Sequence, residues 1–318
     1  MTRRVLTVAT LTTVAASALW WQHRHQVARR WRPPAGDHHD LALHVRTLGE
    51  GPPVVLLHGL LGSGRFWGAE FDRLAHVYRL VTPDLLGFGR SPRPDHGYTP
   101  DDHADAVAAT LDMLGVATPA VVAGHSLGAL VALRLAVRHP ERVAAIVAFG
   151  PPLYPDAETA RRHISGLGGL APMFALDTPR AARVCEWMCA HRTVSAWLAV
   201  AMRPDLPIPI ARDSVQHTWP SYSRTMSHVI IAAHADAWLD HLTIPIVVIA
   251  GDNDPVVDHG HLAELAARHP QFILDRWSGG HDLPLSRPSE CRARIAGVTA
   301  DHLRGGSTPT RSNPHDQL

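Results

Sequence analysis

What most constrains this chain is a rhythm in its sequence, in which short runs of β-branched and aliphatic residues alternate with longer stretches of helical periodicity. Val54–Leu57, Leu80–Thr82, Ala120–Ala123, Val143–Phe149, Ile246–Ala250 and Phe272–Asp275 read as strands; Phe66–His76, Asp101–Leu114, Ala129–His139, Leu262–His269 and Ser289–Leu303 read as helices. Strands that are apolar throughout are those buried on both faces, and intervening helices supply the crossovers that parallel strands need. The fold class is therefore α/β, a mostly parallel sheet flanked by helices. The earlier run Leu41–Val45 reads as an antiparallel edge strand.

The rhythm breaks once. From Pro151 to about Leu242, glycines, prolines and several helical pieces replace the alternation. This implies a helical cap over residues 151–242, inserted into a core made of residues 37–150 and 243–303. The cap holds Trp187, Trp197, Trp219 and Trp238 with Met173, Met188, Met202 and Met226. Such side chains either pack cap helices onto the body or line an apolar pocket over the site.

The ends differ from the body. Arg3 and Arg4 precede an uncharged stretch from Val5 to Gln22, closed by Trp20, Trp21 and the basic run His23–Arg32. Its length is near the roughly 20 residues that span a bilayer, and the Trp–Arg flank suits an interface. Residues 1–36 thus form a membrane-directed segment and linker. An uncleaved anchor, a signal peptide cleaved near Ala16-Ser17-Ala18 and an amphipathic helix resting on the protein all fit this pattern. The expected location is membrane-associated through this one segment, or exported, in a bacterial-type cell envelope. Residues 304–318 are rich in Gly, Ser, Pro and Asn and read as a disordered tail.

Composition removes several classes. Thirty basic against 29 acidic residues leave a formal charge of +1, which gives no field to gather nucleic acid. The three cysteines are too few for a disulfide framework; Cys185 and Cys189, four apart, share a helix face and read with Cys291 as free core thiols. The 23 histidines are scattered and form no ligand motif, so neither metal nor cofactor is expected.

Gly124-His125-Ser126-Leu127-Gly128 matches G-x-S-x-G between an expected strand and an expected helix. In that setting a serine sits on a strained turn, its hydroxyl raised above the sheet, with glycines two residues either side to avoid collision. A serine hydroxyl needs a base. His281, in Ser278-Gly279-Gly280-His281-Asp282 after the last strand, is placed to serve. An acid must orient that imidazole, and Gly251-Asp252-Asn253-Asp254-Pro255-Val256-Val257 offers Asp252 and Asp254.

On these motifs, residues from about Asp40 to Leu303 resemble the α/β-hydrolase superfamily, in the branch holding esterases, lipases, C–C hydrolases, epoxide hydrolases and cofactor-free haloperoxidases. In that branch a G-x-x-D-x-x-V pattern carries the acid, and Gly251, Asp254 and Val257 fall on it, which favours Asp254 over Asp252. His58-Gly59-Leu60-Leu61 resembles the family's oxyanion loop, which implies the backbone N–H groups of Leu60 and Leu127 as donors. His58 is then a brace, and Asp84-Leu85-Leu86-Gly87-Phe88-Gly89-Arg90-Ser91 a structural turn. Serine at 126 departs from the epoxide hydrolases and haloalkane dehalogenases, which use aspartate there. The resemblance thus implies a serine hydrolase cleaving a small apolar acyl ester through an acyl-enzyme. C–C hydrolase or perhydrolase-like chemistry, lactone or amide cleavage, and a non-catalytic binding role are the alternatives.

Overall fold

The computed structural model describes residues 27–167, 178–232 and 235–305. The apolar run 5–22, Met173 and nearly all of the expected C-terminal tail lie outside them.

Eight strands form one sheet in the order β1-β2-β4-β3-β5-β6-β7-β8. They are β1 Asp37–Asp40, β2 His44–Leu48, β3 Pro53–Leu57, β4 Arg79–Pro83, β5 Ala120–His125, β6 Val143–Phe149, β7 Ile246–Gly251 and β8 Phe272–Trp277. From β4 to β8 all neighbours run parallel, and β1 and β2 are antiparallel. The period of two along each strand sends Val55, Leu57, Val122 and Val248 to one face and Val54, Leu56, Val121, Ala123 and Val247 to the other, all within 2% of complete burial. Each such Val or Leu side chain contributes about 1.5–3 kcal/mol by leaving water, which is why these strands have no polar face.

Helices Pro100–Met113, Leu127–Arg138 and His259–Arg268 cover the first face, and Pro288–Leu303 covers the second. A capping box of Thr99 and Asp102, with Pro100 in the first turn, starts helix Pro100–Met113 cleanly.

Two expectations are corrected. Leu41–Val45 is not one edge strand: Leu41–Leu43 turns between β1 and β2, closed by Leu41 N–H to the Leu43 carbonyl at 3.0 Å. β1 reads Asp-His-His-Asp and is exposed at every residue, so no apolar pattern betrays it; a charged outer strand suits an unpaired sheet edge. The helix expected over Phe66–His76 is broken into 3₁₀ turns at Gly64–Phe66 and Arg73–His76 around one α-turn, Ala69–Asp72, that starts after Gly68.

Between β6 and β7 lie helices Ala157–Ser165, Pro179–Ala190, Arg192–Met202, Ile208–Asp213 and Trp219–Thr225, a π-turn over Met226–Ile231, and helix Ala235–Leu239. Met226, Val229, Ile230, Trp238 and Leu239 join the body's core, and Arg134 of the body lies over the Trp238 ring at 5.4 Å. Trp187, Trp197 and Met202 instead face solvent, each about half exposed. Core packing therefore accounts for only part of the cap's bulky set. A cavity of about 420 Å³ beside the cap helices is lined by Arg65, Arg192, Arg212, Asp213 and Gln216 among others, without any of those Trp or Met side chains.

Candidate active site

Ser126 closes β5 and opens helix Leu127–Arg138 at φ 52° and ψ −116°, a conformation L-residues avoid. The turn is compelled by what crowds around it. A Cβ on Gly124 would stand 2.4 Å from the Gly128 carbonyl carbon, and one on Gly128 would stand 2.4 Å from the Leu57 oxygen. Only glycines at both positions let strand and helix close this tightly. Ser126 N–H donates to the Phe149 carbonyl at 2.9 Å, and its hydroxyl makes no helix-capping bond. The side chain is thus left available for chemistry.

The loop after β3 comes up against the serine: a Cβ on Gly59 would lie 3.3 Å from Ser126 Cβ. Leu61 takes φ 59° there, and Gly62 N–H donates to the Gly59 carbonyl at 3.1 Å. His58 is a brace. Its Nε2 accepts the Leu85 N–H at 2.8 Å, so the proton sits on Nδ1, which donates to the Gly59 carbonyl at 2.7 Å. Asp84 takes the neighbouring role, accepting Gly64 N–H at 2.6 Å and Arg90 N–H at 2.7 Å. Among the described residues, no protein acceptor takes up the N–H of Leu60 or of Leu127.

His281 lies in the loop after β8, and Asp254 in the loop after β7. The loops are joined through main chain, Asp252 N–H to the Trp277 carbonyl at 2.8 Å and Asn253 N–H to the Gly279 carbonyl at 2.9 Å. His281 Nδ1 stands 3.0 and 2.9 Å from the two Asp254 oxygens, one of which also accepts Val256 N–H at 2.8 Å. Asp252, by contrast, is exposed and pairs with Arg276 at 3.3 Å. The structure brings Asp254, and not Asp252, to the imidazole. Gly150, at φ 55°, makes room: a Cβ there would be 2.8 Å from Asp254 Oδ2 and 3.1 Å from His281 Nδ1.

The electrostatics follow from burial and pairing. Burial is the largest influence on His281 and disfavours its charged form, but the hydrogen bond and charge of Asp254, with Asp282 beyond, outweigh it and hold the pKa above the ordinary histidine value. Burial likewise pushes Asp254 up, but its hydrogen bond with His281, the charge of that imidazole and the N–H donated by Val256 together hold it below the usual carboxylate value. An imidazole that has its acid on Nδ1 keeps Nε2 free to take a proton.

Sequence reasoning passed over His125, the x of the G-x-S segment. Its ring stacks on Phe66 at 4.6 Å and lies 4.7 Å from the His281 ring, and its Nε2 donates to the His281 carbonyl at 3.1 Å. Burial first, and the charge of His281 second, lower its pKa to about 4, so it remains neutral while His281 titrates. It fixes the His281 main chain from below. The cap reaches the same two loops: Ser63 Oγ donates to Asp213 at 2.6 Å, and Arg203 pairs with Asp282 at 3.6 Å. No signal in the sequence marks these distant partners.

A parallel sheet with a serine elbow after a central strand, an amide loop beside it and an Asp–His pair at the same sheet edge defines a hydrolase architecture. Residues 52–288 match the family model described as alpha/beta hydrolase fold, and the chain belongs to that family. It is 29% identical over 256 residues to a probable lysophospholipase, BODYGUARD 4, of Arabidopsis thaliana, a match covering 74% of this chain and 61% of the relative. It is 38% identical over 163 residues to the lipase LipV of Mycobacterium tuberculosis, covering 50% of this chain and 57% of that one. The chain thus spans less than two thirds of the length of these relatives. Among solved structures it resembles the esterase RhEst1 of a Rhodococcus species, with TM-score 0.61 and 27% identity over 80% of this chain and 95% of the other. E-2-(acetamidomethylene)succinate hydrolase, at TM-score 0.66 and 19% identity over 84% and 99% of the two chains, shares the fold.

Proposed function

We propose that the protein is a serine hydrolase of carboxylic esters, with Ser126 as nucleophile, His281 as general base and Asp254 as its orienting acid. One observation carries the reading. A serine held in a strained elbow shares its sheet edge with an Asp–His pair, its carboxylate buried, whose contacts leave Nε2 of the imidazole as the base. Attack of Ser126 Oγ on the ester carbonyl passes its proton to His281, and the resulting imidazolium is stabilised by Asp254. The negative charge developing on the carbonyl oxygen is received by the N–H groups of Leu60, in the loop after β3, and of Leu127, at the start of a helix, each such donor contributing about 3–4 kcal/mol. His281 then protonates the leaving alcohol, and water attacks the acyl-enzyme by the same route. The lipase and esterase relatives support an ester as substrate; the acyl group is taken to be small and apolar. At its N-terminal end, the Trp-flanked run 5–22 holds the protein at a membrane as a single anchor in this reading; among the described residues no helix is long and apolar enough to cross one.

Labelling with a fluorophosphonate probe tests the assignment. The expected result is one adduct on Ser126, absent in Ser126→Ala, with turnover of activated esters that rises with acyl length until the pocket is full, about 0.8 kcal/mol per methylene. Labelling that survives in the variant overturns the nucleophile. Turnover of vinylogous diketones with none of esters moves the chemistry to C–C cleavage.

A further inference from the structure

Cys185 and Cys189 lie one turn apart on helix Pro179–Ala190, and the turn before helix Trp219–Thr225 brings His217 against them. Cys185 Sγ is 4.0 Å from Cys189 Sγ and 3.4 Å from His217 Nε2, and the three ligand atoms all lie within 4.8 Å of one another. We propose that these side chains form a cap site for zinc, built from residues other than those assigned to the chemistry at Ser126.

Three observations carry the site. The first is spacing. Zn–S bonds of about 2.3 Å and Zn–N bonds of about 2.0 Å at tetrahedral angles put two sulfurs about 3.8 Å apart and sulfur and nitrogen about 3.5 Å apart; the separations of Cys185 from Cys189 and from His217 already match these closely, and Cys189 Sγ, which donates to the His217 carbonyl at 3.2 Å, turns from that carbonyl to close the third. The second is the imidazole's orientation. His217 Nδ1 is 3.0 Å from the Ser214 carbonyl, which can only accept, so Nδ1 carries the proton and the Nε2 lone pair faces the sulfurs. A ring pinned through its other nitrogen to a main-chain carbonyl is how proteins prepare a histidine ligand. The third is the surroundings. Cys185 and His217 are 2% and 6% exposed, while Cys189 is half-buried and gives a cation a way in. Arg192 donates to the carbonyls of Cys189 and His217, and Arg93 to that of Gln216, which sets positive charge beside the pair of thiolates.

Binding replaces two S–H protons with one divalent cation, so two protons leave per zinc, and the fourth position is filled by water. The ion crosslinks helix Pro179–Ala190 to the turn that follows Asp213. Asp213 is the residue holding Ser63 of the loop beside Ser126, so zinc fixes the cap where it meets that loop.

The test uses the full chain, reduced and stripped with chelator, then dialysed against micromolar zinc and, separately, cobalt(II). Expected are about one zinc per chain, a thiolate-to-cobalt charge-transfer band in the near ultraviolet, and a zinc-dependent rise in melting temperature. Cys185→Ser with Cys189→Ser should abolish the band and the rise; His217→Gln should weaken zinc binding at least tenfold; Cys291→Ser should change neither. A wild-type chain that retains under a tenth of an equivalent and gives no band overturns the site, whatever the variants do. So does a folded double-serine variant that binds as the wild type does.

Discussion

Replacing Asp254 by Asn tests the Asp–His pair with the least disturbance of shape. Both carboxylate oxygens lie within 3.0 Å of His281 Nδ1, and one is held by Val256 N–H at 2.8 Å. That amide donates, so it keeps the carbonyl oxygen of the new Asn on its side and turns the NH₂ group toward His281. A donor facing Nδ1 forces the imidazole proton onto Nε2, the atom that must receive the serine proton. The expected loss is about 10⁴-fold in kcat, near 5.5 kcal/mol of barrier. Asp252→Asn removes only the Arg276 pair, both partners about half exposed; exposed pairs contribute about 0.2–1 kcal/mol, so activity should change less than about fivefold. Turnover of p-nitrophenyl butyrate, with circular dichroism to confirm folding, separates the two. Equal losses, or a greater loss in Asp252→Asn, would refute the assignment of the acid.

Because His281 titrates above its ordinary value of about 6.5 and must be neutral to act, kcat/KM should fall as pH drops through a midpoint above that value; Asp254→Asn should move the limb to lower pH, and a midpoint below 6 in the wild type would contradict the pairing. Gly150→Ala places a methyl 2.8 Å from Asp254 Oδ2 at φ 55°, so it should cost about 1–2 kcal/mol of stability in denaturant titration and lower kcat together with it; unchanged values of both would show that the loop yields freely. Full-length protein should partition with membranes, whereas a chain lacking residues 1–22 but keeping Val27 and Trp31, which pack on the body, should be active without detergent; uncleaved full-length protein found wholly in the soluble fraction would defeat the anchor.

The sequence by itself determined the sheet and the serine elbow, because both depend on local pattern. Strands buried on two faces must be apolar throughout, so β3, β5, β6 and β7 were legible almost to their ends, and a serine elbow requires glycine two residues before and after. β1 escaped because its four polar residues are held by pairing with β2 rather than by burial, and Phe66–His76 misled because its apolar residues dock separately around Gly68. What only the tertiary structure decided were the partners. Asp252 and Asp254 are two residues apart in one loop, and the turn of that loop against the Gly279 carbonyl sends one side chain to His281 and the other to Arg276. His125 beneath His281, Asp213 on Ser63 and His217 beside two cysteines are contacts between segments far apart in the chain. No local periodicity encodes such contacts, because they are set by where packed elements meet.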